Sequence, residues 1–201
     1  MFGMRRFTRK LMAAASAAAL FTLCAPASAG EAPAAISAEA LEPGQYVWTP
    51  ERETEGEIEI VVSVPMQLAY VYRGGTLIGV STVSTGRPGY DTPTGSFNIL
   101  QKRREHYSNL YDNAPMPFMQ RLTWDGIALH GGAIPGHPDS HGCIRFPQAF
   151  ARRLFAATEV GGSVHVIDAA PEAPEMALAL ARSGGGYFGM GGPDPELEGV
   201  D

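Results

Sequence analysis

Cysteine is almost absent from the chain. Only Cys24 and Cys143 occur in 201 residues, too few for a disulfide framework. Beyond the first thirty residues no apolar run is long enough to be a retained membrane span. No internal repeat is visible. The 24 glycines and 16 prolines follow no collagen period, which excludes a fibrous chain, and they collect in turns between short segments. What remains is apolar enough, at 45%, for one ordinary globular domain.

Basic residues are scarce where they would matter for nucleic acid. Arg5, Arg6, Arg9 and Lys10 precede an apolar stretch from Leu11 to Ala25, followed by the small-x-small pattern Ala27-Ser28-Ala29. This is the layout of a secretory signal with cleavage after Ala29. A retained anchor helix is the competing reading, and the stretch is short and alanine-rich for one. A lipid-modified Cys24 is disfavoured because Phe21-Thr22-Leu23 lacks small residues. Without residues 1–29 the chain keeps 11 basic residues against all 21 acidic ones, a net charge of −10. Such a balance argues against nucleic acid as a partner. Export to the periplasm or cell envelope is expected, with no stable membrane span after cleavage. Cys143 is then a lone thiol in an oxidising compartment, either inert or chemically employed.

Residues 30–56 are rich in Ala, Pro and Glu and read as a linker, with the alternating Glu51 to Glu59 as a solvated acidic run. From residue 58 the pattern becomes β-rich. Strands are expected over 58–64, 67–72 and 76–84, with Arg73-Gly74-Gly75 as a turn, giving an antiparallel meander. Further strands are expected over 95–100, 118–122, 126–130 and 163–168, and a helix over 147–158 on the Phe150, Leu154, Phe155 face. Residues 169–201 read as a mobile Pro/Gly-rich tail in which only 174–182 has helical character. The sum is a mostly β, sandwich-like domain over 57–168, close to the commonest domain size, with one or two short helices.

The chemistry concentrates between His130 and Arg145. His130, His137, His141 and Cys143 lie within this stretch, separated by Gly and Pro. An imidazole that removes the thiol proton creates the reactive thiolate. Gly142, just before the thiol, permits close backbone approach and can aim N–H groups at an oxyanion. His130 ends a strand, and Cys143 is expected to enter a helix, where the dipole would favour a thiolate.

Ser140-His141-Gly142-Cys143-Ile144-Arg145, with His130-Gly131 upstream, resembles the signature of L,D-transpeptidases of the YkuD type. Thr92-Pro93-Thr94-Gly95-Ser96-Phe97, after Ser84-Thr85-Gly86, matches that family's second hallmark. The resemblance covers about residues 57–168 and implies a mostly β domain that transfers acyl groups on peptidoglycan stem peptides without metal or other cofactor. It implies Cys143 as nucleophile and His130 as base, with the Gly131 carbonyl orienting His130. Gly142 and Cys143 would offer oxyanion N–H groups. His141 would orient the loop, bond near the thiolate or help the oxyanion site. Ser140, Gly131 and Arg145 are candidates for substrate contact, and Arg145 is equally a structural pair at the helix start. Carbapenem-type β-lactams are the expected inhibitors.

Outside the signature, His137 reads as a loop residue, His165 as a satisfied strand histidine, and Asp139 as no triad acid. Trp124 and Tyr107 are candidates to wall the cleft, with core packing preferred for Trp124. Lys102-Arg103-Arg104 reads as a solvated strand end. Three other functions compete: hydrolysis or D-amino-acid exchange by the same acyl-enzyme, a zinc hydrolase using His130, His137, His141 and Cys143, and a wall-binding module without catalysis.

Overall fold

The computed structural model describes residues 41–108 and 113–184. The expected signal 1–29, residues 30–40 of the expected linker and the glycine-rich end of the tail lie outside the described residues. With a short 3-10 turn at Pro50–Arg52, ten strands and two α-helices form among those described. They are β1 (Tyr46–Trp48), β2 (Ile58–Ser63), β3 (Leu68–Arg73), β4 (Thr76–Thr82), β5 (Gly95–Asn98), β6 (Gln101–Arg103), β7 (Met119–Arg121), β8 (Ala128–Gly131), β9 (Ile144–Phe146), α1 (Gln148–Ala157), β10 (Ser163–Ile167) and α2 (Pro174–Ser183). One sheet has the order β1-β4-β3-β2-β10-β5 and the other β6-β7-β8-β9. The mostly β architecture expected from the sequence is present.

The antiparallel meander β2-β3-β4 follows from its residues. Gly74 and Gly75 turn the chain with φ of 54° and 86°, both in the left-handed region that glycine enters without penalty. Alternate side chains then point to opposite faces. Ile60, Val62, Ala69, Val71 and Ile78 face the core shared with Leu129, Ile144, Phe146 and α1. Val61, Tyr70, Tyr72 and Val80 face the other way, and Ala177, Leu178 and Ala181 of α2 cover them. Apolar residues therefore occupy both faces, which is why these strands read as continuous runs.

Three expectations need correction. The stretch read as linker contains β1, which pairs with β4 at Tyr46↔Ser81 and sets Tyr46 and Trp48 against the Phe150 ring at 5.3 and 5.4 Å. Three residues are too few to show a period. The stretch read as a mobile tail contains α2, whose apolar residues pack on the sheet and whose Pro174 carbonyl accepts a bond from Tyr72 Oη at 2.5 Å. Burying a leucine-sized side chain such as Leu178 contributes about 1.5–3 kcal/mol. Finally, Cys143 does not enter a helix. It precedes β9, and α1 begins only at Gln148, so the helix dipole is not its source of activation.

Lys102 also leaves the basic cluster proposed for 102–104. Its ammonium donates to the Phe155 and Thr158 carbonyls at the end of α1, where a cation complements the helix dipole. Among the described residues no helix is long and apolar enough to cross a membrane.

Candidate active site

Strands β8 and β9 run parallel, with His130 opposite Arg145 and Leu129 opposite Ile144. Parallel neighbours need a crossover connection, and residues 132–143 supply it as a loop. The register brings the residue just before β9 to the start of β8. Accordingly the Cys143 thiol donates to the Gly126 carbonyl at 3.4 Å. Cys143 and His130 line the same cavity of about 520 Å³.

The loop is fastened from outside. Ser84 and Arg145 exchange backbone bonds at 3.0 and 2.9 Å, and the Asp139 and Ser140 N–H groups both donate to the Thr85 carbonyl at 3.0 Å. Thr92 Oγ1 accepts from the Gly86 N–H and donates to the Gly142 carbonyl, each at 2.8 Å. A Cβ on Gly86 would stand 1.9 Å from the Tyr90 carbonyl oxygen, so only glycine fits. The two sequence hallmarks thus meet as one structure: the second block is the clamp on the first.

His130 is 8% exposed. Its Nδ1 lies 2.9 Å from the Gly131 carbonyl. A carbonyl only accepts, so Nδ1 carries the proton and the neutral ring keeps an unprotonated Nε2. Burial lowers the His130 pKa to about 4, with Arg145 and His106 adding to the shift against the Gly131 bond. Burial likewise pushes the Cys143 thiol up, against the fields of Arg121 and Arg145. At rest the cavity therefore holds a neutral imidazole and a neutral thiol rather than an ion pair.

The remaining sequence candidates take clearer places. His141 lines the cavity, but Arg87 Nη2 stands 2.7 Å from its Nε2. Guanidinium only donates, so this nitrogen accepts and is not available as a base. Tyr90 packs edge-on to the same ring at 4.8 Å. Ser140 donates to the Cys143 carbonyl at 2.5 Å and accepts from Gly142 N–H at 3.1 Å, so its hydroxyl shapes the loop instead of waiting for substrate. Gly142 has φ of 107°, is buried and does not line the cavity, and its N–H is already engaged. Gly131 is buried outside the cavity. Its size limit comes from packing, since a Cβ would meet Pro117, Gln148 and Ala151 at 3.3 to 3.5 Å. Arg145 pairs with Asp139 at 2.6 Å, on a strand and not at a helix start, and that bond holds the Asp139 carboxyl below its usual range.

Trp124 is 74% exposed and Tyr107 56%, so Trp124 is not a core residue, and neither lines the cavity. His137 is an exposed loop residue. Ser96 Oγ lies 2.8 Å from His165 Nδ1, which satisfies that strand histidine. Among the described residues no three His, Cys, Asp or Glu side chains group closely enough to hold a metal ion, so the four proposed zinc ligands do not converge. Arg87, Tyr90, His106 and Arg121 were missed by the sequence analysis. Arg87 follows the Ser84-Thr85-Gly86 block directly, which is the one signal that pointed to it.

The fold is thus a mostly β domain in which a half-buried cysteine, just before one strand, and a backbone-oriented histidine, on the parallel neighbour, line one cavity. Residues 57–166 match the YkuD L,D-transpeptidase catalytic domain, and the chain belongs to that family. L,D-transpeptidase 1 of Mycobacterium tuberculosis is 28% identical over 131 residues, covering 57% of this chain and 52% of that protein. The chain spans about half the length of the curated relatives it matches. An L,D-transpeptidase from Stackebrandtia nassauensis superposes with a TM-score of 0.52 at 27% identity, covering 59% of each chain. An LD transpeptidase solved in complex with imipenem superposes with a TM-score of 0.51 at 26% identity, covering 55% of this chain and 58% of that one.

Proposed function

We propose that this protein is an exported cysteine L,D-transpeptidase of the periplasm or cell envelope. It acts on the tetrapeptide stems of peptidoglycan, and Cys143 and His130 are its catalytic residues. The observation that carries this reading is the Nδ1 bond of His130 to the Gly131 carbonyl, which leaves Nε2 as the proton acceptor in the cavity that holds Cys143. Nε2 takes the thiol proton as sulfur attacks the carbonyl of the third stem residue. The tetrahedral intermediate collapses, the C–N bond to the terminal D-Ala breaks, and His130 returns its proton to the departing amine. The amine of another stem then attacks the thioester, losing its proton to His130. An amide joins the two third residues, and sulfur leaves as the thiol. No step needs a metal or other cofactor.

Exclusion of water from the thioester would favour aminolysis over hydrolysis. Hydrolysis and D-amino-acid exchange are alternative second halves of the same cycle. Imipenem is the natural probe, because a solved relative holds it and its strained lactam offers an acyl carbon to the thiol. Incubation should add one imipenem mass to the intact protein, mapped to the Cys143 peptide, and Cys143→Ala should take up none. The tetrapeptide should release D-Ala and yield a dimer by mass spectrometry. An adduct that persists in Cys143→Ala would overturn the assignment.

A further inference from the structure

Three guanidinium groups line the cavity around Cys143, and their partners differ. Arg145 is neutralised by Asp139 at 2.6 Å. Arg87 is spent on His141 at 2.7 Å and lies 4.5 Å over the Tyr90 ring. Among the described residues Arg121 has no such partner. Its Nε reaches Gln101 Oε1 only at 3.4 Å, and its guanidinium stands 5.9 Å from the Trp124 ring. The two ion pairs among the described residues are Arg145–Asp139 and Arg182–Glu59. A half-buried cation left without a carboxylate among the described residues is a charge waiting for a counter-ion.

Its place in the fold is specific. Arg121 ends β7 and pairs with Ala128 of β8, two residues from the Gly126 carbonyl that receives the Cys143 thiol. Its charge reaches both that thiol and His106 across the cavity, lowering each. Guanidinium presents a planar fork that matches a carboxylate with two parallel bonds. A stem tetrapeptide carries carboxylates close to the scissile carbonyl, on the third residue when that is a diamino dicarboxylic acid and on the leaving D-Ala.

We propose that Arg121 is the carboxylate anchor for the acyl donor, a specificity-determining residue that makes the enzyme prefer a free carboxylate over a carboxamide. The inference rests on the transpeptidase reading above. It is tested with three tetrapeptides: the parent, one amidated on the third residue, and one amidated at the C-terminus. Wild type, Arg121→Gln and Arg121→Lys are compared by kcat/KM for release of the fourth residue. One amidated peptide should be about 10- to 100-fold poorer than the parent with wild type, the range of a charge-assisted hydrogen bond, and mostly through KM. In Arg121→Gln that gap should close, and in Arg121→Lys part of it should remain, which also shows that a folded variant is being measured. The peptide that behaves this way names the carboxylate. An equal fall for all three peptides in Arg121→Gln would mean that the charge acts on the thiol alone, overturning the inference while leaving the transpeptidase reading intact. So would wild type that releases from all three equally. No release from any peptide by wild type would overturn both.

Discussion

Strands β2, β3 and β4 are six or seven residues long and pair along their whole length, whereas β6 to β9 have three or four residues each. The long sheet is covered on both faces, by the main core on one and by α2 on the other. The short sheet carries His130, Arg121 and Arg145 and leads out of Cys143. Strands this short have few ladder bonds of their own. Their geometry is held by side ties from residues 84–92, which reach the loop 139–145 through backbone pairs and Thr92. The long sheet thus supplies most of the packed core and the short sheet most of the candidate site, and substitutions should separate the two.

The largest separation is expected from His130→Ala. It should lower tetrapeptide turnover by about 10²–10⁴-fold through loss of proton transfer, with the long sheet unaffected by circular dichroism. Wild-type kcat/KM should hold flat from neutral pH down toward the His130 pKa of about 4, well below an ordinary imidazole. An acid limb near 6.5 would contradict the burial. The same group links pH to stability. Between about 4 and 6.5 the unfolded chain binds a proton that folded His130 refuses, so stability falls as pH drops through that window. Urea midpoints should show this in wild type and lose most of it in His130→Gln.

The opposite dissociation is expected when the chain ends at Ala173. Removing α2 uncovers Val61, Tyr70, Tyr72 and Val80 and should lower stability by at least about 2 kcal/mol on the scale of buried apolar side chains. Imipenem should still acylate Cys143 at temperatures where the truncated protein is folded. Smaller and aimed at the site, Thr92→Val removes the acceptor for Gly86 N–H and the donor to Gly142. It should destabilise by about 1–3 kcal/mol, as expected for a buried polar group left without a partner, and slow acylation more than it shifts the unfolding midpoint would suggest. Smallest is Gly75→Ala in the β3–β4 turn. Nothing lies within 4 Å of its Cβ position, but φ is +86°. A loss of about 1 kcal/mol from the left-handed backbone alone is expected, with unchanged acylation.

Much of this arrangement is legible in the sequence for a physical reason. The meander is written in β-branched runs and the Gly74-Gly75 turn, and the Gly/Pro loop between His130 and Cys143 signals that the two can meet, although the element after Cys143 is β9 and not the expected helix. What escaped is what depends on tertiary partners. β1 is Tyr46-Val47-Trp48, whose strand character comes from docking on β4 and Phe150. The helical character of 174–182 was read, but not its docking, because the outer face of the sheet that receives α2 is a tertiary partner. Arg121 looks like any strand-end arginine until its cavity is seen, with no carboxylate paired to it among the described residues. Ser140 and Gly142 were assigned to substrate and oxyanion from their motif, and the bond between them turns inward to the loop.

The carbonyl that holds His130 has a further consequence. A carboxylate in that place would bring a negative charge into a site 8% exposed at its histidine and would need a cation beside it. A peptide oxygen does the aiming with no ionisable group to neutralise, and every residue type carries one. The orienting group is therefore beyond the reach of point substitution: replacing Gly131 can crowd α1 or tilt the ring, but it cannot delete the oxygen. A lineage could reshape the cavity wall and exchange its substrates while the tautomer of its base stayed fixed by the chain itself.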